Sequence, residues 1–174
     1  MAYQSIEVRK LTPTIGAEIF GVDLAKPLGN QQFQEVHDAL MENLVIFFRD
    51  QKMSIDQHKD FGRRFGPLHV HPNAPISFAE HPIVRTHPVT GRQGLYVNRG
   101  FTLRIPQLKK HESDALLEML YRHVETPEFQ CRFKWQPNSV AFWDNRCVQH
   151  HAMWDYWPHT RSGNRVTVKG DRPV

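Results

Sequence analysis

Cysteine is scarce in this chain. Only Cys131 and Cys147 occur in 174 residues, and they form no C-x-x-C pattern. That excludes a disulfide scaffold and a cysteine-built zinc knot, and it fits a reducing compartment. No apolar run approaches the ~20 residues that a membrane helix needs, and no charged-then-apolar leader opens the chain. The expectation is therefore a soluble cytoplasmic protein with no membrane partner. A Gly-rich phosphate loop, a serine nucleophile elbow and a paired-carboxylate motif are also missing, which removes the commonest nucleotide-binding and hydrolytic chemistries. The formal charge of +4 is modest. Adjacent basic pairs such as Arg63-Arg64 and Lys109-Lys110 stand apart from one another, so no nucleic-acid partner is expected.

Histidine is abundant, at 11 residues. Imidazole is the commonest protein metal ligand and carries protons near neutral pH. With 40% hydrophobic and 23% charged residues, the chain suits one domain with its own core. Two short strands are expected around the Thr12-Pro13-Thr14 turn. Asn30 is expected to cap a helix whose apolar positions Phe33, Val36, Leu40 and Leu44 recur at helical spacing. The run Leu44-Val45-Ile46-Phe47-Phe48 reads as a strand buried on both faces. Ser54-Ile55-Asp56-Gln57 is a capping box opening a second helix, which Gly66-Pro67 stops. After residue 80 the pattern predicts strands at 83–87, 95–98, 139–143, 148–153 and 165–168, with a helix over 113–124. Five such strands make about half of the eight in a closed jelly roll.

The residues that carry chemistry gather near the C-terminus. Asp144 and His150 lie six apart, and His150 is a candidate metal ligand, although a sheet histidine bonded to a neighbour fits the spacing too. If both lie on a strand, His151 points to the opposite face. Arg161 and Arg165 flank Ser162-Gly163-Asn164, a turn composition, and the guanidinium fork suits carboxylates, phosphates and sulfonates. Solvent-facing arginines beside a turn are the plainer alternative. His69-Val70-His71 sets two imidazoles on one side of an extended segment, and with His150 it offers a three-histidine zinc site as a rival. Phe101, after Asn98-Arg99-Gly100, serves equally as a pocket wall or as core.

Nearly the whole chain resembles the taurine dioxygenase-like family of Fe(II)- and 2-oxoglutarate-dependent oxygenases. The matching stretches run from Thr14 to Leu24, from Phe61 to Pro67, from Thr86 to Gly91 with Leu95-Tyr96-Val97-Asn98, and from Trp143-Asp144-Asn145-Arg146 through His150 to Arg161 and Arg165. The resemblance implies a mixed α/β, mainly β fold: a double-stranded β-helix (jelly roll, cupin-like) with flanking helices. It implies Fe(II), 2-oxoglutarate as cosubstrate, and dioxygen. His150 would be an iron ligand and Arg161 would hold 2-oxoglutarate. Arg165, His71 and Phe101 would contact a small anionic substrate such as taurine or another alkylsulfonate. A homo-oligomer is left open.

The family's first histidine and carboxylate belong to a His-x-Asp motif, usually inside a Trp-His-Thr-Asp run, and no such run occurs in this chain. The family's long central stretch also has no counterpart, because its flanks abut at about residues 80/81. The expectation is thus a single domain, 1–174, lacking a central segment. Three explanations fit: residues omitted from a longer polypeptide, a deletion that binds no iron, or a substitute site made of His69, His71 and His150.

Overall fold

The computed structural model describes residues 3–69 and 78–174. His71 lies outside the described residues. Strands β1 (Glu7–Lys10) and β2 (Ala17–Phe20) pair antiparallel, as the turn at 12–14 predicts. Helix α1 (Asn30–Asn43) then crosses over to strand β3 (Val45–Phe48), which lies parallel to β2. Gly29, not Asn30, is the N-cap: its extended backbone turns the Gly29 carbonyl onto the Phe33 N–H at 2.9 Å. Val36, Ala39 and Leu40 form the buried stripe of α1. Leu44 closes the helix in a left-handed conformation, φ 69°, and sends the chain straight into β3.

All four residues of β3 are buried, and the strand is flanked on both sides, by β2 and by a later strand, Val140–Trp143. Strand β6 (Val140–Trp143) is its antiparallel neighbour. The predicted capping box is present at helix α2 (Ile55–Arg63). Ser54 Oγ accepts from the Gln57 N–H at 3.2 Å, and the Gln57 side chain accepts from the Ser54 N–H at 2.7 Å. Phe61 and Phe65 carry α2 onto Phe142 of β6, with ring centroids 5.8 and 4.6 Å away. Gly62 permits a close approach on that helix, since a Cβ there would stand 2.8 Å from Val166 Cγ1.

A second, smaller core forms where the hairpin of β4 (Val84–Thr86) and β5 (Gln93–Leu95) meets helix α3 (Lys110–Val124). Val97, Ile105, Leu117 and Tyr121 are its buried members. Three expectations need correction. Strand β5 ends at Leu95 rather than starting there, because Val97 turns into the core and Asn98 accepts, through its carbonyl, from the N–H groups of Phe101 and Thr102. Helix α3 begins three residues early, held by the Glu112 carboxylate accepting from the Lys109 N–H at 2.9 Å. Residues 148–153 form no strand, and 165–168 is reduced to one bridge, Leu68 to Val168. A strand persists only where a neighbour takes its N–H and C=O groups. Among the described residues 148–153 have no such neighbour.

Candidate active site

Strand β6 delivers its last residue, Trp143, to the start of a tight turn. The N–H groups of Cys147 and Val148 both donate to the Asp144 carbonyl, at 3.1 and 3.0 Å. Asp144, 7% exposed, is the centre of the turn. Its carboxylate takes the Arg146 fork, Nε to Oδ1 at 2.8 Å and Nη2 to Oδ2 at 2.6 Å, and the Arg146 backbone N–H at 2.9 Å. His87, 6% exposed, joins from the end of β4 with Nε2 3.0 Å from Asp144 Oδ2. Burial by itself raises the Asp144 carboxyl, but the bonds from Arg146 and His87 outweigh it and hold the group down at about 2. The Cys147 thiol is pushed up to about 11, first by burial and then by the neighbouring Asp144 charge.

His87, Asp144 and Cys147 place ligand-type atoms within 4.8 Å of one another. They nevertheless make a poor metal site. His87 Nδ1 accepts from the N–H groups of Val89 and Thr90, at 3.3 and 3.2 Å. The ring hydrogen therefore sits on Nε2 and points at Asp144, leaving no lone pair for a cation. Asp144 is saturated by the arginine fork, and Cys147 holds its proton.

The predicted residues lie farther along the chain. His150 is exposed, with its ring 4.7 Å from that of Trp143. The preceding Gln149 is tied down: its Oε1 accepts from Asn98 Nδ2 at 3.0 Å, and its Nε2 donates to the Val97 carbonyl. Arg161 is exposed and lies over the Tyr156 ring at 5.4 Å. Arg165 is exposed, and Phe101 is 86% exposed in the turn after β5. His69 donates its backbone N–H to the Thr167 carbonyl at 2.7 Å, which brings it to the segment after Arg165. Of the clefts among the described residues, one is lined by Val22, Asp23, Ala25 and residues 49–52, and another lies where Asn164 meets Ser54, His58, Ser139 and Val140. His150, Arg161 and Arg165 line neither. The turn between the two arginines thus reaches the Ser139 end of β6, while His150 lies beside Trp143 at the other end.

Two His-x-carboxylate spacings do occur, His58-Lys59-Asp60 and His123-Val124-Glu125, and sequence spacing does not separate them from the family's motif. The structure does. His58 and Asp60 lie on α2, where residues two apart face different sides. His123 lies in the last turn of α3, and Glu125 is engaged by Arg99. Neither pair presents two ligands to one ion.

The family model described as Taurine catabolism dioxygenase TauD, TfdA family matches residues 7–80 and 76–167. The chain belongs to this family. A taurine dioxygenase from Burkholderia xenovorans superposes with a TM-score of 0.86 at 30% identity, covering 98% of this chain and 93% of that one. The α-ketoglutarate-dependent sulfonate dioxygenase of Saccharomyces cerevisiae is 48% identical over 103 residues, 58% of this chain and 25% of that protein. An alkylsulfatase of Acinetobacter baylyi is 24% identical over an alignment of 274 residues, covering 97% of this chain and 86% of that protein. The chain spans about a quarter of the length of the first curated relatives it matches. Its fold is the jelly roll of the TauD/TfdA family, whose cofactor set is Fe(II), 2-oxoglutarate and dioxygen. A two-histidine, one-carboxylate iron centre is not supplied by the described residues. His150 stands alone, and the one three-member cluster is closed by its own hydrogen bonds.

Proposed function

We propose that the protein is a 2-oxoglutarate-dependent dioxygenase acting on a small anionic organosulfur compound, a sulfonate or sulfate ester such as taurine. In this reading His150 gives one imidazole to Fe(II) and Arg161 grips a carboxylate of 2-oxoglutarate. Arg165 takes the anionic headgroup, with Phe101 beside it and His71 contributing from outside the described residues. The observation that carries the reading is the second family-model match, 76–167, which includes His150, Arg161 and Arg165 in one continuous stretch. Relatives named for sulfonate and sulfate-ester dioxygenation support the substrate class. In this reading the remaining iron ligands belong to a central segment absent from the sequence at about 80/81, beside the 76–80 overlap of the two family matches. The Acinetobacter alignment, longer than the 174-residue chain itself, supports a shortened centre.

The test is succinate formation from 2-oxoglutarate with Fe(II) and a panel of taurine, other alkylsulfonates and alkyl sulfates. Substrate-dependent succinate is expected from the native polypeptide, with Arg161→Ala weakening 2-oxoglutarate use by roughly tenfold or more, the scale of a lost charge-assisted fork. No succinate with any member of the panel defeats the enzymatic reading. The closed His87, Asp144 and Cys147 cluster favours a second reading, a non-catalytic, anion-binding form of the same fold. Intact mass separates the two. A native polypeptide of 20.4 kDa, the mass of these residues, supports the second reading, and a much heavier one supports the first.

A further inference from the structure

Nothing regular holds His150 in place. From Asp144 to Thr167 the chain forms no helix or strand, so no backbone ladder fixes where the imidazole stands. Polar side chains do that work, and they reach well beyond the turn. Arg85, 3% exposed on β4, pairs with Asp171 of the C-terminal tail. Arg146 Nη1 lies 3.9 Å from the other oxygen of Asp171, while its fork holds Asp144. The tail is laid down at both ends: Lys169 donates its N–H to the Pro67 carbonyl at 2.8 Å, and the Val174 carbonyl accepts from the Thr86 N–H at 3.0 Å. Arg85, Asp171, Arg146, Asp144 and His87 therefore form one chain of charges and hydrogen bonds, linking β4, the tail and the turn after β6.

We propose that Asp171 is a positioning residue for His150, acting through Arg85 and Arg146 on the Asp144 turn. The physical argument is competition. Arg85 is almost wholly buried, and a buried guanidinium cannot remain without a partner. Its Nε already faces no acceptor among the described residues, so Asp171 satisfies the group only in part. Without the Asp171 charge, Asp144 is the one carboxylate left in this network, and Arg85 draws on it at the expense of the Arg146 fork. The turn 144–147 then loosens, and His150 leaves the Trp143 ring. Buried charge networks add little net stability but are strict about geometry, which is what a segment without secondary structure needs. The functional consequence rests on the reading of His150 as a site residue; the structural claim does not.

The test follows the His150 imidazole by NMR, its signal assigned by its loss in His150→Gln. In the wild type the signal is expected to carry a ring-current shift from Trp143, whose ring lies 4.7 Å away. Asp171→Asn, close to isosteric, is expected to move it toward the position of a free, exposed histidine, and Asp171→Glu is expected to restore it. Methyl signals of Ile19 and Ile46, in the sheet core, are expected to stay in place. A His150 signal unmoved by Asp171→Asn overturns the proposal, as does an equal displacement of the Ile19 and Ile46 methyls, which would mean a general loss of structure. Titration with 2-oxoglutarate then separates the two claims. A tenfold weaker dissociation constant in Asp171→Asn ties the network to the pocket. A moved His150 signal in a protein that binds no 2-oxoglutarate upholds the positioning role and defeats only the functional reading.

Discussion

Residues 3–69 and residues 144–174 are stabilised in opposite ways. The first region is held by burial: β3 is covered on both sides, α1 and α2 pack their apolar stripes against the sheet, and Phe48 and Ile46 are fully enclosed. The second has no regular element beyond a single bridge, exposes Trp154 and Trp157, and is anchored by charges at Asp144, Arg146 and Asp171. Apolar burial is non-directional and tolerates rearrangement, whereas a forked ion pair works in one geometry. Stability and positioning have thus been given to different parts of the chain.

Substitutions should separate the regions cleanly. Phe48→Ala removes the largest fully enclosed side chain and is expected to cost about 3–5 kcal/mol, read as a lower urea midpoint. A cost below about 1 kcal/mol would mean that the sheet core is not the main source of stability. Asp144→Asn places an amide against the Arg146 fork and leaves a partly buried charge unmatched, for a loss on the order of 3 kcal/mol near neutral pH. The pH dependence has a definite sign. The folded state holds the Asp144 carboxyl at about 2, below its ordinary 3.8, so the stabilisation is complete above the ordinary value and disappears as pH falls toward the lower one. Wild type and Asp144→Asn should therefore converge in unfolding midpoint between pH 4 and 2, and parallel curves over that window would exclude the pairing as the cause. The smallest effect belongs to Trp157→Ser. At 87% exposure this residue buries almost nothing, and the change is expected to stay within about 0.5 kcal/mol. A larger loss would show that the C-terminal region carries a core of its own.

How far the sequence could be read follows the same division. The continuous apolar run of β3, the periodic stripe of α1 and the Ser54 to Gln57 box are local signals, and each marks an element within a residue or two of its true place. The Asp144 network is not local. His87 reaches Asp144 across 57 positions, and Arg85 reaches Asp171 across 86. His87, Arg85 and Asp171 are the members that spacing alone does not find. The turn at Thr90-Gly91 was a partial signal for His87, since a histidine before such a turn can accept from its N–H groups. The strands expected at 148–153 and 165–168 had adequate β-propensity but lacked neighbours to complete them, and propensity does not make a sheet without a partner.

The glycine at position 62 governs a contact between α2 and the C-terminal segment. The missing side chain on α2 leaves a notch into which Val166 settles, and Val166 is the next residue after Arg165. A methyl group in that notch would press on Val166 and Leu68, so Gly62→Ala asks the 165–168 segment to move off the helix. An uncharged position on α2 therefore sets how closely the 165–168 segment can lie against that helix.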